Sequence, residues 1–262
     1  MDETSLDRAH AAMTATPTDR QARLAYYHRL ADCELYLLLS AEPEDVRFDP
    51  AIYPLEDGRF ALAFDSEERL AAFGDGPVPY AALPGRVLVA ALAGQGVGLG
   101  LNLGVADSAF LMPPEALDWL ADALTRAPEA GGGRPREFFP PTLPGFAAAL
   151  SDKLAGLATL APCAWLAGAW LADGHAGHVI IYEAARPEAH DALAKAAAEA
   201  VLFAGLAPEG VEVMFLSARR IAAEGLPALA EPVEISPPRA VDRASAGPAA
   251  PGSDPARPPR LR

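Results

Sequence analysis

Lysine is almost absent from this sequence. Of its 21 basic residues only Lys153 and Lys195 are lysines, and all the others are arginines. A P-loop or a pyridoxal phosphate enzyme needs a lysine in a specific setting, so both are poor candidates here. Both lysines lie in Ala/Leu-rich helical stretches, and we expect each of them to lie on a solvated helix face.

Cysteine is also scarce, because Cys33 and Cys163 are the only two. This number is too small for a disulfide framework and favours a reducing compartment. Both lie in apolar runs without a basic or helix-N-terminal setting that would favour a thiolate. We therefore expect both thiols to pack in a core rather than act as nucleophiles.

Long apolar runs and excess positive charge are missing as well. Every apolar stretch is interrupted before 18 residues, and the acidic first residues are not followed by the apolar core of a signal peptide. The net charge of -14 repels phosphate groups, which disfavours both nucleic acid and anionic membrane surfaces as partners. We expect a soluble, cytoplasmic protein.

The residues that are present support packed cores, since 51% of them are hydrophobic. Their periodicity predicts an α+β protein of two small domains, each a mixed or antiparallel sheet with helices packed mainly on one face. The predicted domains span residues 1–126 and 145–236. A Pro/Gly-rich linker joins them at 127–144, and a Pro/Ala/Arg-rich tail, predicted to be disordered, follows at 237–262.

A run of glycines at residues 94–104 invites comparison with a nucleotide-binding loop. No frame of the run contains the GxGxxG pattern. The run also follows a predicted helix and enters a predicted strand, whereas a dinucleotide loop leads from strand to helix. We interpret it as a helix cap followed by a strand that packs closely against a neighbour.

The densest group of possible metal ligands is Asp173, His175 and His178. A zinc or iron site needs at least three such side chains to converge, and no fourth ligand is evident nearby. The group is therefore only a weak metal candidate, and we interpret it as a polar turn with one histidine that begins a strand. We predict no cofactor and assign no catalytic residue.

Three other polar residues are candidates for binding a small ligand. Asn102, the only asparagine, has the chemistry of a turn residue but could also present a polar group at a sheet edge. Arg86 could anchor a carboxylate or solvate a helix start. Tyr80, which is interpreted mainly as a core or rim aromatic, completes this candidate site.

Several motifs of residues 5–126 occur in a familiar order. They are YPLEDGRF at 53–60, DSEE at 65–68, LPGR at 83–86, the glycine run at 94–104, and PPEAL at 113–117. Together they resemble the N-terminal domain of the SseB family, named for enhanced serine sensitivity. Leu103 stands where that family usually has proline. Residues 144–236 resemble the family's C-terminal domain more loosely.

The resemblance implies a bacterial cytoplasmic protein without established enzymatic activity, linked by the family name to serine tolerance. Two functions fit this expectation. A non-enzymatic binding or regulatory protein would need an exposed apolar patch beside the first sheet to bind a protein partner. An amino-acid sensor would need Arg86 and Asn102 within about 10 Å of each other, several times hydrogen-bond reach. A metal-dependent hydrolase using His175 and His178 is the least favoured alternative.

Overall fold

The computed structural model describes residues 2–42, 49–74, 76–126, 134–207 and 210–235. The tail predicted at 237–262 lies outside the described residues, as do residues 127–133 of the predicted linker. The described residues form two mixed sheets covered by helices, which confirms the α+β class.

The first sheet and its helices form the N-terminal half of the chain. Two helices come first, and later in this half helix α4 begins directly after strand β4. The elements are α1 (Ser5–Ala15), α2 (Arg20–Asp32), β1 (Glu34–Leu38), β2 (Ile52–Leu55), β3 (Gly58–Phe64), α3 (Glu67–Phe73), β4 (Tyr80–Pro84), α4 (Gly85–Leu92), β5 (Gly98–Leu101), β6 (Phe110–Met112) and α5 (Pro114–Thr125).

The strand order of the first sheet is β4-β1-β3-β5-β6, and β2 also pairs with β3. Among the described strands of this sheet, β3 and β5 form the single parallel pair. Successive side chains of a strand point to opposite faces, so β1 buries Leu35 and Leu37 against α1, α2, α4 and α5. Its Leu38 faces the other side, where it packs with Phe60, Phe64 and the short helix α3. Helices thus lie mainly on one face.

The glycine run has the role that its pattern predicts. Gly94 and Gly96 have φ values of +73° and +63° and form the turn after α4. A Cβ at Gly98 would lie 2.5 Å from the Phe60 ring and 2.6 Å from the carbonyl oxygen of Met112. The strand therefore approaches its neighbours too closely for a larger residue.

The second sheet has the strand order β10-β9-β8-β11, and β7 also pairs with β8. Strands β9 and β10 are parallel and are connected through α7. Helices α6 and α7 pack on one face and the short α8 and α9 on the other. The elements are β7 (Glu137–Phe139), α6 (Phe146–Leu154), β8 (Cys163–Trp170), β9 (Ala176–Glu183), α7 (His190–Phe203), β10 (Val211–Leu216), α8 (Ala218–Ala223), α9 (Leu226–Leu229) and β11 (Glu231–Glu234).

Two strands differ from the sequence-based expectations. The segment Tyr80–Pro84 carries no strand prediction, yet it pairs with β1 along its whole length. Glu137–Phe139 lies inside the predicted linker but forms a strand on β8, where a Cβ at Gly168 would meet the Phe139 ring at 2.2 Å. Both strands form through long-range pairing. Each lies at an edge of its sheet, where the surrounding prolines are tolerated.

Candidate functional site

The α3 side of the first sheet exposes several apolar side chains. Tyr53, Leu55 and Tyr80 are 38%, 39% and 40% exposed. Tyr80 pairs with Leu38 and Tyr53 with Phe60, so both tyrosines share the face of these buried residues. We call this surface the aromatic face. Its members are Tyr36, Tyr53, Leu55, Phe73 and Tyr80.

The rings of the aromatic face are held by contacts with one another. Phe73 of α3 lies edge-on to Tyr53, with ring centroids 6.4 Å apart, and its centroid is 5.2 Å from that of Phe64. The centroids of Tyr36 and Tyr80 are 5.8 Å apart. Tyr53 and Tyr80 therefore contact neighbouring rings and still remain more than one third exposed.

Carboxylates border the aromatic face. The Tyr80 hydroxyl donates a hydrogen bond to Glu67 at 2.7 Å, and the Tyr36 hydroxyl donates one to Glu34 at 3.1 Å. The Glu67 carboxylate thereby raises the pKa of the Tyr80 phenol. Glu67 and its neighbour Glu68 are exposed. The surface thus combines flat apolar rings with negative charge, which favours an apolar ligand that carries positive charge.

Arg86 lies in a different place, at the start of α4 between the two halves of the chain. Its guanidinium donates to Asp32 of α2 and to both carboxylate oxygens of Glu199, at 3.3 and 3.2 Å. Lys153 of α6 lies 2.6 Å from Glu199 and 2.8 Å from Asp32. We call these four residues the charged cluster. It joins helices of the first sheet to α6 and α7 of the second.

The expectation that Lys153 is solvated is wrong, because its side chain is only 5% exposed. Burial alone would raise the pKa of Glu199, but hydrogen bonds from Arg86 and Lys153 lower it below its usual range. Burial likewise opposes the ionisation of Asp32, whose pKa is held low by His28, Lys153 and Arg86. The charged cluster therefore contains two cations and two carboxylates that compensate one another.

Apolar contact accompanies the charged cluster at the same junction. The ring of Phe203 at the end of α7 packs in the core of the first sheet. It stacks on His28 with ring centroids 5.0 Å apart and planes 7° from parallel. The two halves of the chain are therefore joined by both apolar and ionic contacts.

Asn102 belongs to a separate polar network and is completely buried. Its φ of 51° is the left-handed conformation that asparagine tolerates. Its side-chain oxygen accepts a hydrogen bond from the Asp65 backbone at 3.1 Å, and its amide donates to Ser108 at 3.3 Å. These contacts give Asn102 the turn role that was one of its two interpretations.

The structure does not bring Arg86 and Asn102 together. They follow β4 and β5, which are separated in the sheet by β1 and β3. Three strand spacings of about 4.8 Å correspond to about 14 Å. Tyr80 lies on the opposite face of the sheet from α4. The three residues therefore do not line one pocket.

An open groove lies beside the polar network of Asn102. Its volume is about 730 Å³, and its lining includes Asp7, His10, Arg69, Asp107 and Ser108. Arg69 donates two hydrogen bonds to Asp7, at 2.9 and 2.6 Å, and one to Asp65 at 2.7 Å. Burial opposes ionisation of Asp7, but these bonds and one from Ser108 keep its pKa well below the usual range. A ligand here would compete with bonds already formed.

The metal candidates have separate partners. His175 lies 3.2 Å from Asp173, and both side chains are exposed. His178 instead lies 3.1 Å from the backbone and hydroxyl of Thr142. Across the described ranges, no three His, Cys, Asp or Glu residues are grouped so that they could hold a metal ion.

Neither thiol has the setting of a nucleophile. Burial raises the pKa of Cys33 to about 12. Burial together with the neighbouring Glu183 carboxylate raises that of Cys163 to about 12. Both sulfurs are therefore protonated at neutral pH, in agreement with their interpretation as packing residues.

These features define an α+β protein with two mixed sheets and one partly uncovered aromatic face. Residues 6–119 match the SseB protein N-terminal domain, which confirms the resemblance that the motifs of this part of the chain indicate. No curated protein and no solved structure gives a significant match to the chain. The similarity of residues 144–236 to the family's C-terminal domain stays a prediction. Every helix in the described part of the chain is too short or too polar to cross a bilayer.

Proposed function

We propose that this chain is a non-enzymatic, cytoplasmic binding protein that presents the aromatic face to a protein partner. The supporting observation is the group of Tyr53, Leu55 and Tyr80, each more than one third exposed on one side of the first sheet. Tyrosine contributes strongly to protein interfaces because it combines a rigid apolar ring with a hydroxyl. The family name links such proteins to serine tolerance, and we propose that the partner acts in that process.

A photo-crosslinking experiment in cells tests this proposal. The crosslinking amino acid p-benzoylphenylalanine replaces Tyr80 in one strain and Val87 in another. Val87 is a matched control, because it is 45% exposed but belongs to α4 on the opposite side of the sheet. We expect a discrete adduct with another protein from position 80 and none from position 87.

Loss of the aromatic face should also remove that adduct. The double substitution Tyr53→Ser and Leu55→Ser leaves the crosslinker at position 80 in place but removes two neighbouring apolar side chains. We expect the adduct to decrease strongly in this variant. Equal adducts from positions 80 and 87, or an adduct that is insensitive to the double substitution, would reject the aromatic face as the binding surface.

The groove beside Arg69 favours a second candidate function, sensing of an amino acid. Its volume of about 730 Å³ is in the size range of small-molecule sites. Its lining includes Arg69, Asp7 and Asp107, but Arg69 and Asp7 are paired with each other, so the charged groups of an amino acid would have to replace part of this pairing. Thermal unfolding in serine tests this function, because a ligand at 100 times its Kd stabilises by about 2.7 kcal/mol. An unchanged Tm over a millimolar range of amino acids would exclude it.

A further inference from the structure

Residues 236–262 contain a sequence that suits an aromatic surface. Residues 255–260 read PARPPR, a P-x-x-P motif with an arginine two positions after its second proline. Proline-rich segments of this kind favour the polyproline II conformation and dock on aromatic-lined surfaces. A second P-x-x-P motif, PAAP at 248–251, lacks a following arginine.

The charges of this segment and of the aromatic face are complementary. Residues 236–262 contain five arginines and two aspartates, although the whole chain has a net charge of -14. Residues 255–262 contain three of these arginines and no acidic residue. The aromatic face is bordered by Glu67 and Glu68, and Glu56 and Asp57 follow Leu55 in the adjacent hairpin turn. Proline rings could therefore pack on tyrosine rings while arginines pair with these carboxylates.

The segment is also long enough to reach this surface within one chain. It follows Ile235, which is buried in the core of the second sheet. Residues 236–254 in extended form cover about 60 Å at roughly 3.1 Å per residue. A folded chain of this size has a radius of gyration of only about 18 Å.

We propose that residues 255–260 dock on the aromatic face of the same chain and compete there with its partner. This inference rests on the proposed function, because it assigns a competitor to the same surface. Short flexible tethers give effective concentrations of about 1 mM. A site with a Kd of roughly 0.1 mM would then be about nine tenths occupied, which weakens the apparent affinity for an external partner about tenfold.

The experiment uses the purified full chain alone at low micromolar concentration. The crosslinking amino acid replaces Tyr80, and after illumination the monomer is digested and its crosslinked peptides are identified by mass spectrometry. We expect a crosslink within one chain to residues 255–262. The same crosslink is expected from position 55, and none is expected from position 87.

Two tail variants make the comparison specific. The triple substitution Pro255→Ala, Pro258→Ala and Arg260→Ala removes the proposed ligand, and we expect it to abolish the crosslink. The matched control, Pro248→Ala with Pro251→Ala, changes the other P-x-x-P motif and should keep the crosslink. In cells, the triple variant should also bind the partner about tenfold more tightly, because the competitor is gone.

The outcomes separate this inference from the proposed function. A crosslink to another part of the chain, a crosslink only between two chains, or equal crosslinking by both tail variants would overturn tail docking. If tail docking fails in this way while position 80 still gives a partner adduct in cells, the binding function stands without its internal competitor. If the purified chain shows the expected tail crosslink and cells show no partner adduct, the proposed function fails instead.

Discussion

Replacing Lys153 by methionine tests the energetic role of the charged cluster. The Lys153 ammonium lies 2.6 Å from Glu199, and the two side chains are only 5% and 4% exposed. Removing one partner of a buried ion pair costs about 3–5 kcal/mol, because the other charge is left uncompensated. Arg86 still reaches Glu199 at 3.2 Å, so we expect the lower end, a loss of about 3 kcal/mol in the free energy of unfolding.

The chain supplies its own control, since Lys195 is the only other lysine. Lys195 lies half-buried on α7, and Lys195→Met should change the free energy of unfolding by no more than about 0.5 kcal/mol. Urea unfolding followed by both tryptophan fluorescence and circular dichroism measures the two variants, and agreement of the two signals tests two-state behaviour. If the two variants are equally stable, the charged cluster has no role in holding the structure together.

Three further predictions concern pH, a buried amide and a close backbone approach. The pKa values of Asp32 and Glu199 are lowered in the folded state, so their contribution to stability is present above pH about 4.5 and is lost as the pH falls through the depressed folded values. Between pH 7 and pH 3, urea unfolding should therefore show a smaller decrease in the free energy of unfolding for Lys153→Met than for the parent chain. Equal decreases would contradict this. Asn102→Ala should lower the free energy of unfolding by about 2–3 kcal/mol, since it removes a buried hydrogen bond and places an alanine in the left-handed conformation. In the same assay, Asn102→Gly should recover about 1 kcal/mol of this loss, because glycine adopts that conformation without cost. No recovery would show that the backbone conformation contributes nothing to the loss. Gly85→Ala should lower the Tm strongly, because the new Cβ would lie 1.8 Å from the Leu30 carbonyl oxygen. Gly156→Ala is the control, because a Cβ at Gly156 meets nothing within 4 Å. Similar Tm values for the two variants would contradict the prediction.

Elements with strong local periodicity could be predicted from the sequence. The strand at residues 211–216 has the bounds that its apolar pattern predicts, and the hairpin around Gly58 forms where Asp-Gly predicts a tight turn. Strand β4 could not be predicted in this way. Its residues have no clear alternation, and their conformation depends on pairing with β1 about 45 residues earlier in the chain.

The candidate site residues show a similar division. The glycine run and the turn role of Asn102 follow from local conformation, which sequence patterns report well. The partners of Lys153 do not, because Asp32 lies 121 positions away and the Ala/Leu-rich helix gives no sign that its lysine is buried. Arg86 and Asn102 likewise have separate partners, since two motifs close in sequence need not lie on neighbouring strands.

The expected apolar patch beside the first sheet is present, and its position could be anticipated only in part. Alternation in the hairpin predicts that Tyr53 and Leu55 share one side, but it does not say which side is covered. That depends on how the helices pack on the sheet, and in the structure both residues are more than one third exposed.

The burial of Lys153 has a practical consequence for amine chemistry on this chain. The Lys153 side chain is only 5% exposed and is paired with Asp32 and Glu199, so we expect a bulky acylating reagent to modify the half-buried Lys195 first in the folded protein. Amine-directed attachment of a dye or a solid support through lysine should therefore favour Lys195, on the second half of the chain. The aromatic face, which belongs to the first half, would remain open in every molecule attached in this way.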